Sequence, residues 1–207
     1  MELKDTGGGD FVQAAAGNHP ARCVKIIDVG TQEGEYAGKA TFRRQIVLMW
    51  ELPNELIDVK GEQRPAIVSK WYTASLSEKA KIRADLESWR GRPFAKEELM
   101  GFEVRNVLDK CCLVNVVHTD KGKAKVSAVT ALPKGMAMPA RVNDLVYFSL
   151  ERDEFDEATF DALGDYWREK IEASPEYQAL VGKAPKPPMT AGSGSKFDDF
   201  VDDIPFN

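Results

Sequence analysis

The clearest periodic segment of the chain lies between Phe42 and Leu52. Phe42, Ile46, Leu48, Trp50 and Leu52 share one parity, interrupted by Arg44, and Arg43, Gln45, Val47, Met49 and Glu51 share the other. Such two-residue alternation predicts a half-buried strand; Pro53 and Asn54 are expected to close it. A β-rich stretch over 20–30 precedes it and is expected to end in a turn over 31–34. A polar loop over 58–64 leads to a third strand over 66–73.

The period then changes. Ser75, Leu76, Ser77 and Glu78 offer helix N-caps with an early acid, and Ala80, Ile82, Leu86 and Trp89 approximate one helical face. Gly91 and Pro93 stop that helix, and a second short one is expected over 96–100, ending at Gly101. Strands resume over 111–118. The turn over 119–123 carries Gly122, where a hairpin needs a positive φ, and the partner strand returns over 125–132.

The order is strand, strand, strand, helix, strand, strand. That is the order of an OB fold, a five-stranded, partly open barrel with a helix between the third and fourth strands. The predicted fold class is therefore mainly β. An accessory strand is expected over 145–150. Phe160, Leu163, Trp167 and Ile171 predict one long C-terminal helix over 155–181 that packs on the barrel. The expected division is a flexible N-terminal arm (1–18), the barrel (19–150), the helical segment (151–182), a disordered linker (183–196) and an acidic tip (197–207). The linker, KAPKPPMTAGSGSK, has too little apolar surface to offset chain entropy.

Charge sharpens this division. Residues 11–147 hold 21 Lys and Arg against 16 Asp and Glu, whereas 148–182 hold 3 against 10. A basic body followed by acidic segments fits a nucleic-acid binder with an interaction tail. No apolar run approaches the roughly 18 residues of a membrane span. The first ten residues have neither an apolar core nor a basic start, so no signal peptide is expected. Cys23, Cys111 and Cys112 show no disulfide or zinc spacing. They fit a reducing, cytoplasmic compartment.

The last eleven residues, FDDFVDDIPFN, alternate acids with large apolar side chains. Phe197, Phe200, Ile204 and Phe206 are costly choices for a purely solubilising tail. They suit a hook for a partner's apolar pocket, with the carboxylates on a basic rim. Asp202, Asp203, Ile204, Pro205 and Phe206 resemble the C-terminal tip of bacterial and phage single-stranded DNA-binding proteins. The body, through PARCVKIIDVGTQ, IVLMWELP, SLSEKAKIRADLESWRGRPF and ALPKGM, is similar to the phage-encoded members over roughly 19–150. The resemblance implies an OB fold that coats single-stranded DNA without sequence preference. It also implies a tip that docks replication, recombination and repair enzymes. The family tip ends on Phe, whose free carboxylate pairs with the partner; here Asn207 follows and displaces it by one residue.

Neutral single-strand binding needs cations for phosphates and aromatic faces for bases, supplied in OB folds by the second and third strands and the loops joining strands one–two and four–five. The candidates are Lys39, Arg43 and Arg44 entering the second strand, Lys70, Trp71 and Tyr72 on the third, and Lys121, Lys123 and Lys125 on the last hairpin. Trp71 and Tyr72 point to opposite faces, so one of them can stack from the groove; Tyr72 shares parity with Lys70 and is the first choice. Trp50 and Trp89 lie on apolar faces and are assigned to the core. No catalytic motif, cofactor or metal is expected, and the chain reads as a non-enzyme. Two other readings stay open: a metal-dependent nuclease using Glu151, Asp153, Glu154, Asp156 and Glu157, and an adaptor that acts through the tail alone. Self-association also stays open.

Overall fold

The computed structural model describes residues 13–182, apart from 37, 60 and 139. The linker and tip, with Asp202, Asp203, Ile204, Pro205 and Phe206, lie outside the described residues, as does most of the N-terminal arm. The chain forms a mostly antiparallel six-stranded sheet with helices between the third and fourth strands and at the end of the described segment. The strands are β1 (Gly17–Tyr36), β2 (Lys39–Val59), β3 (Glu62–Thr73), β4 (Cys111–His118), β5 (Ala124–Thr130) and β6 (Val146–Phe148). Their order is β3-β2-β1-β4-β5, and β6 runs parallel to the middle of β1. β3 and β5, the outer strands of this path, form no ladder, so the sheet is not closed into a barrel.

The first two strands are longer than the pattern predicts. No turn interrupts 31–34; Thr31 pairs with Arg44 and the ladder continues to Tyr36 and Lys39. The alternation of this hairpin is mostly polar, so hydrophobic pattern alone does not mark it. At the other end β2 passes Pro53 through a register shift between Leu52 and Leu56. A bulge of this kind is where a strand accommodates proline, which has no N–H to donate.

Two apolar clusters cover the sheet. On one face Ile46, Leu48, Trp50 and Leu52 pack with Ala66, Val68 and Tyr72. Ile82, Leu86 and Trp89 of α1 (Lys81–Arg90) close this side, and the Trp50 and Trp89 rings lie 6.1 Å apart. Trp89 Nε1 also donates to the Cys111 carbonyl at 2.7 Å. On the other face Val47 and Met49 meet Ile27, Val29, Phe148, Phe160, Leu163, Trp167 and Ile171. From Gln45 to Leu52, β2 is thus buried on both faces rather than half-buried. β1 serves both clusters because a bulge between Cys23 and Lys25 inverts its parity: Cys23 and Ile26 face one side, Ile27 and Val29 the other.

The short α2 (Lys96–Met100) falls where expected. The predicted single C-terminal helix is instead three: α3 (Glu157–Ala162), α4 (Asp165–Glu172) and α5 (Pro175–Leu180). Gly164 caps α4, and Ser174 caps α5 with its hydroxyl on the Tyr177 amide. Pro175 at the first position of α5 disfavours helical geometry for the residue before it, and Ser174 is extended. The three helices cover the second cluster, and Ala14, expected in a loose arm, is buried in the first. Among the described residues, no helix is long and apolar enough to cross a membrane.

Candidate nucleic-acid interface

The sequence candidates separate into two regions and an interior group. Lys39 and Arg43 are exposed on the β1–β2 hairpin, opposite Tyr36 and Gln32. Lys121 and Lys125 are exposed and Lys123 is half-buried at the β4–β5 hairpin. The ladders set these hairpins at opposite ends of β1, since β4 ends beside Gly17 and β2 begins beside Tyr36.

Arg44, Lys70, Trp71 and Tyr72 are engaged within the protein. Arg44 donates through Nε to Asp28 at 3.3 Å, makes a second, short contact with it, and pairs with Glu151 at 2.8 Å. The Asp28 hydrogen bond holds the Arg44 guanidinium well above its ordinary pKa. Asp28 also accepts the backbone amides of Gly30 and Leu150. Arg44 therefore ties β2 to β1 and to the segment after β6, which explains why it interrupts an apolar parity.

Lys70 lies 2.8 Å from Asp85 of α1 and donates to the Ser127 carbonyl on β5 at 3.0 Å. It bridges the edges of β3 and β5, where a barrel ladder would run. Tyr72 is 3% exposed, and its hydroxyl donates to Asp85 at 2.7 Å. A ring so enclosed offers no face to a base, so the first choice for stacking is not met. Burial, then the Asp85 charge, pushes the Tyr72 phenol well up. Trp71 points to the opposite face, as parity requires, but there it packs on Trp167 with ring centroids 5.6 Å apart. The C-terminal helices cover that side of β3.

The aromatic that the sequence candidates omit is Phe42. It shares the parity of Ile46, Leu48 and Trp50, yet it is 47% exposed, opposite Glu33 near the hairpin tip and next to Arg43. One signal pointed to it: Thr41, Arg43 and Arg44 flank it, a polar setting unlike that of Leu48 or Trp50. The exposed hairpin thus carries an aromatic ring on one face and two cations, Lys39 and Arg43, on the other, within five residues of β2.

The acids considered for a nuclease are dispersed in role. Glu151 pairs with Arg44; Glu154 accepts the Tyr147 hydroxyl at 2.9 Å; Asp156 caps α3 by accepting the Ala158 and Thr159 amides. Among the described residues, no group of three or more His, Cys, Asp or Glu is arranged to hold a metal ion. No protein-family model matches the chain, and a search of curated proteins finds no match.

Proposed function

We propose that this protein is a sequence-neutral single-stranded DNA-binding protein. It coats and protects DNA in replication and recombination and recruits partner enzymes through the acidic tip. The observation that carries the reading is the strand order β3-β2-β1-β4-β5 with helices between β3 and β4. This is the path of an OB barrel, here spanned between β3 and β5 by Lys70 and Ser127 instead of a ladder. Support comes from the exposed hairpin with Lys39, Phe42 and Arg43 and the lysines of the β4–β5 hairpin. In this reading Phe42 stacks on a base at one face of the hairpin, and Lys39 and Arg43 meet phosphates where the strand passes round to the other face. Stacking tolerates any base because every base has a π-face, and phosphate contacts carry no sequence information.

The test is a fluorescence titration of the full chain with oligo-dT, single-stranded RNA and duplex DNA at several salt concentrations. The expected result is tightest binding to oligo-dT. The logarithm of affinity should fall with the logarithm of salt by about 0.7 per phosphate contacted. Equal or tighter binding to duplex DNA overturns the reading. Strand cleavage in Mg²⁺ would instead support the nuclease, and no binding to any nucleic acid would leave the tail-borne adaptor.

A further inference from the structure

A cavity of about 470 Å³ opens between β1 and β2, α1 and the segments flanking β6. Its walls are apolar: Ile26 and Ile46 from the sheet, Ile82 and Leu86 from α1, and Leu76 and Phe102 from the loops around α1 and α2. This volume falls within the usual size range of ligand pockets. Four acids also line the cavity: Asp28, which is buried, and Glu103, Glu151 and Glu154 nearer the surface. Two guanidiniums stand against them. Arg44 is held between Asp28 and Glu151, and Arg105 lies over the Tyr147 ring at 3.9 Å and within 3.5 Å of Glu154. Four carboxylates against two cations leave a net charge of −2 around an apolar interior. Glu151 is 63% exposed and Glu103 is also exposed, so both can meet an incoming charge.

This charge pattern is the reverse of what DNA requires. Phosphates brought to the mouth would meet Glu103 and Glu151, and the acidic tip of the chain would be repelled in the same way. The complementary occupant carries positive charge around an apolar side chain. We propose that the cavity is a docking site for a short basic–apolar peptide segment of a protein partner. Its apolar side chain enters between Ile46, Ile82 and Phe102, and its Lys or Arg pairs with Glu103 and Glu151. The cavity adjoins the base of the β1–β2 hairpin, since Arg44 lines it two residues from Phe42, but the proposal does not depend on the DNA reading.

The test titrates the full chain with amidated pentapeptides Lys-Leu-Φ-Leu-Lys, where Φ is Leu, Phe or Trp. Their counterparts with Glu in place of Lys serve as controls, and binding is read by calorimetry and amide shifts. At least one basic peptide should bind, with shifts at Leu76, Phe102 and Ser149, and its acidic counterpart should bind at least tenfold more weakly. Glu103→Gln and Glu151→Gln should each weaken the basic peptide by up to about fivefold, the range of an exposed ion pair. Ala74→Trp, which narrows the mouth from an exposed position without removing core, should abolish binding and leave the thermal midpoint unchanged. The proposal fails if no basic peptide binds at millimolar concentration, or if acidic and basic peptides bind alike. It fails too if oligo-dT displaces the peptide and Ala74→Trp loses DNA, since the cavity is then a nucleic-acid subsite. If Lys183→Ala with Lys186→Ala in the full chain raises peptide affinity, the occupant is this chain's own segment, and the proposal of a separate partner is overturned.

Discussion

The Trp71 and Trp167 rings lie with centroids 5.6 Å apart and planes inclined by 31°. The contact joins β3 to α4 and is one of the aromatic links between the sheet and the C-terminal helices, with Phe148 of β6 on Phe160 of α3 another. Both rings belong to the cluster that covers the second face of β1 and β2. Trp167→Ala should therefore cost about 3–5 kcal/mol, as large buried aromatics do. A double-mutant cycle with Trp71→Ala should yield a coupling of about 0.5–1.5 kcal/mol. Urea unfolding of the four proteins measures both. Strict additivity would show that the rings do not interact. Oligo-dT affinity per folded molecule should be retained in Trp71→Ala.

Phe42 and Tyr72 should behave in opposite ways. Phe42 is half outside the protein, so Phe42→Ala should leave the urea midpoint nearly unchanged and weaken oligo-dT binding by about 1–3 kcal/mol. Tyr72→Ala removes a buried ring and leaves Asp85 without its phenol donor, so stability should fall by several kcal/mol. Normal DNA binding by Phe42→Ala would remove Phe42 from the interface.

Alkali should destabilise the fold in two stages. Burial pushes the Cys23 and Cys112 thiols and the Tyr72 phenol up, and burial together with the Glu154 contact pushes Tyr147 up to about 12. A group whose folded pKa is raised stabilises fully below its unfolded pKa and loses that contribution as pH climbs towards the folded value. The loss should begin above about pH 8.5, where unfolded thiols ionise, and steepen above about pH 10, where unfolded phenols do. Urea midpoints measured from pH 7 to 11 follow it. Tyr72→Phe should flatten the second stage, and an unchanged slope in that variant would assign the loss elsewhere.

Gly30 should tolerate no side chain. Its φ of +71° lies in the left-handed region, and a Cβ there would sit 2.5 Å from the Ser174 side chain and 2.9 Å from Glu176. Glu176 also holds Thr31 through its amide at 2.8 Å and its hydroxyl at 2.6 Å. Gly30→Ala should thus cost more than about 1 kcal/mol by combining backbone strain with displacement of α5. A thermal midpoint equal to that of the parent protein would show that α5 shifts without cost.

Removing 197–207 should tighten oligo-dT binding at low salt and abolish partner recruitment, with the difference in DNA affinity fading as salt rises. The four aspartates of this segment are tethered to the basic body, and tethering gives an effective concentration on the order of millimolar. Phe206→Ala should keep DNA binding at the parent level and still lose the partner. Paired titrations with oligo-dT and a candidate recombination protein separate the two effects; unchanged DNA affinity after truncation would exclude the competition.

Local pattern was enough for several elements. Cys111–His118 forms β4 within the bounds its residues predict, because both ends are marked by polar turns and its interior alternates. Trp50 and Trp89 are buried together, as period-2 and helical spacing on their two elements require. The strand–helix–strand order follows from where the hydrophobic period changes, and that is a property of the chain itself.

Which side of each strand meets solvent was decided in three dimensions. Parity establishes that Trp71 and Tyr72 point apart, but Asp85 on α1 encloses one and Trp167 on α4, 96 positions away in the chain, covers the other. Phe42 carries the parity of the core and escapes it because β2 runs beyond the clusters into a hairpin. Glu51 has the opposite outcome: it is fully buried because Val142 and Asn143 bring amide donors to its carboxylate. Alternation along a strand defines two faces, and burial of each depends on the surface that distant segments bring to it. The sequence by itself therefore determined the elements and their order, while packing between remote segments decided which aromatic and charged side chains remain available to a ligand.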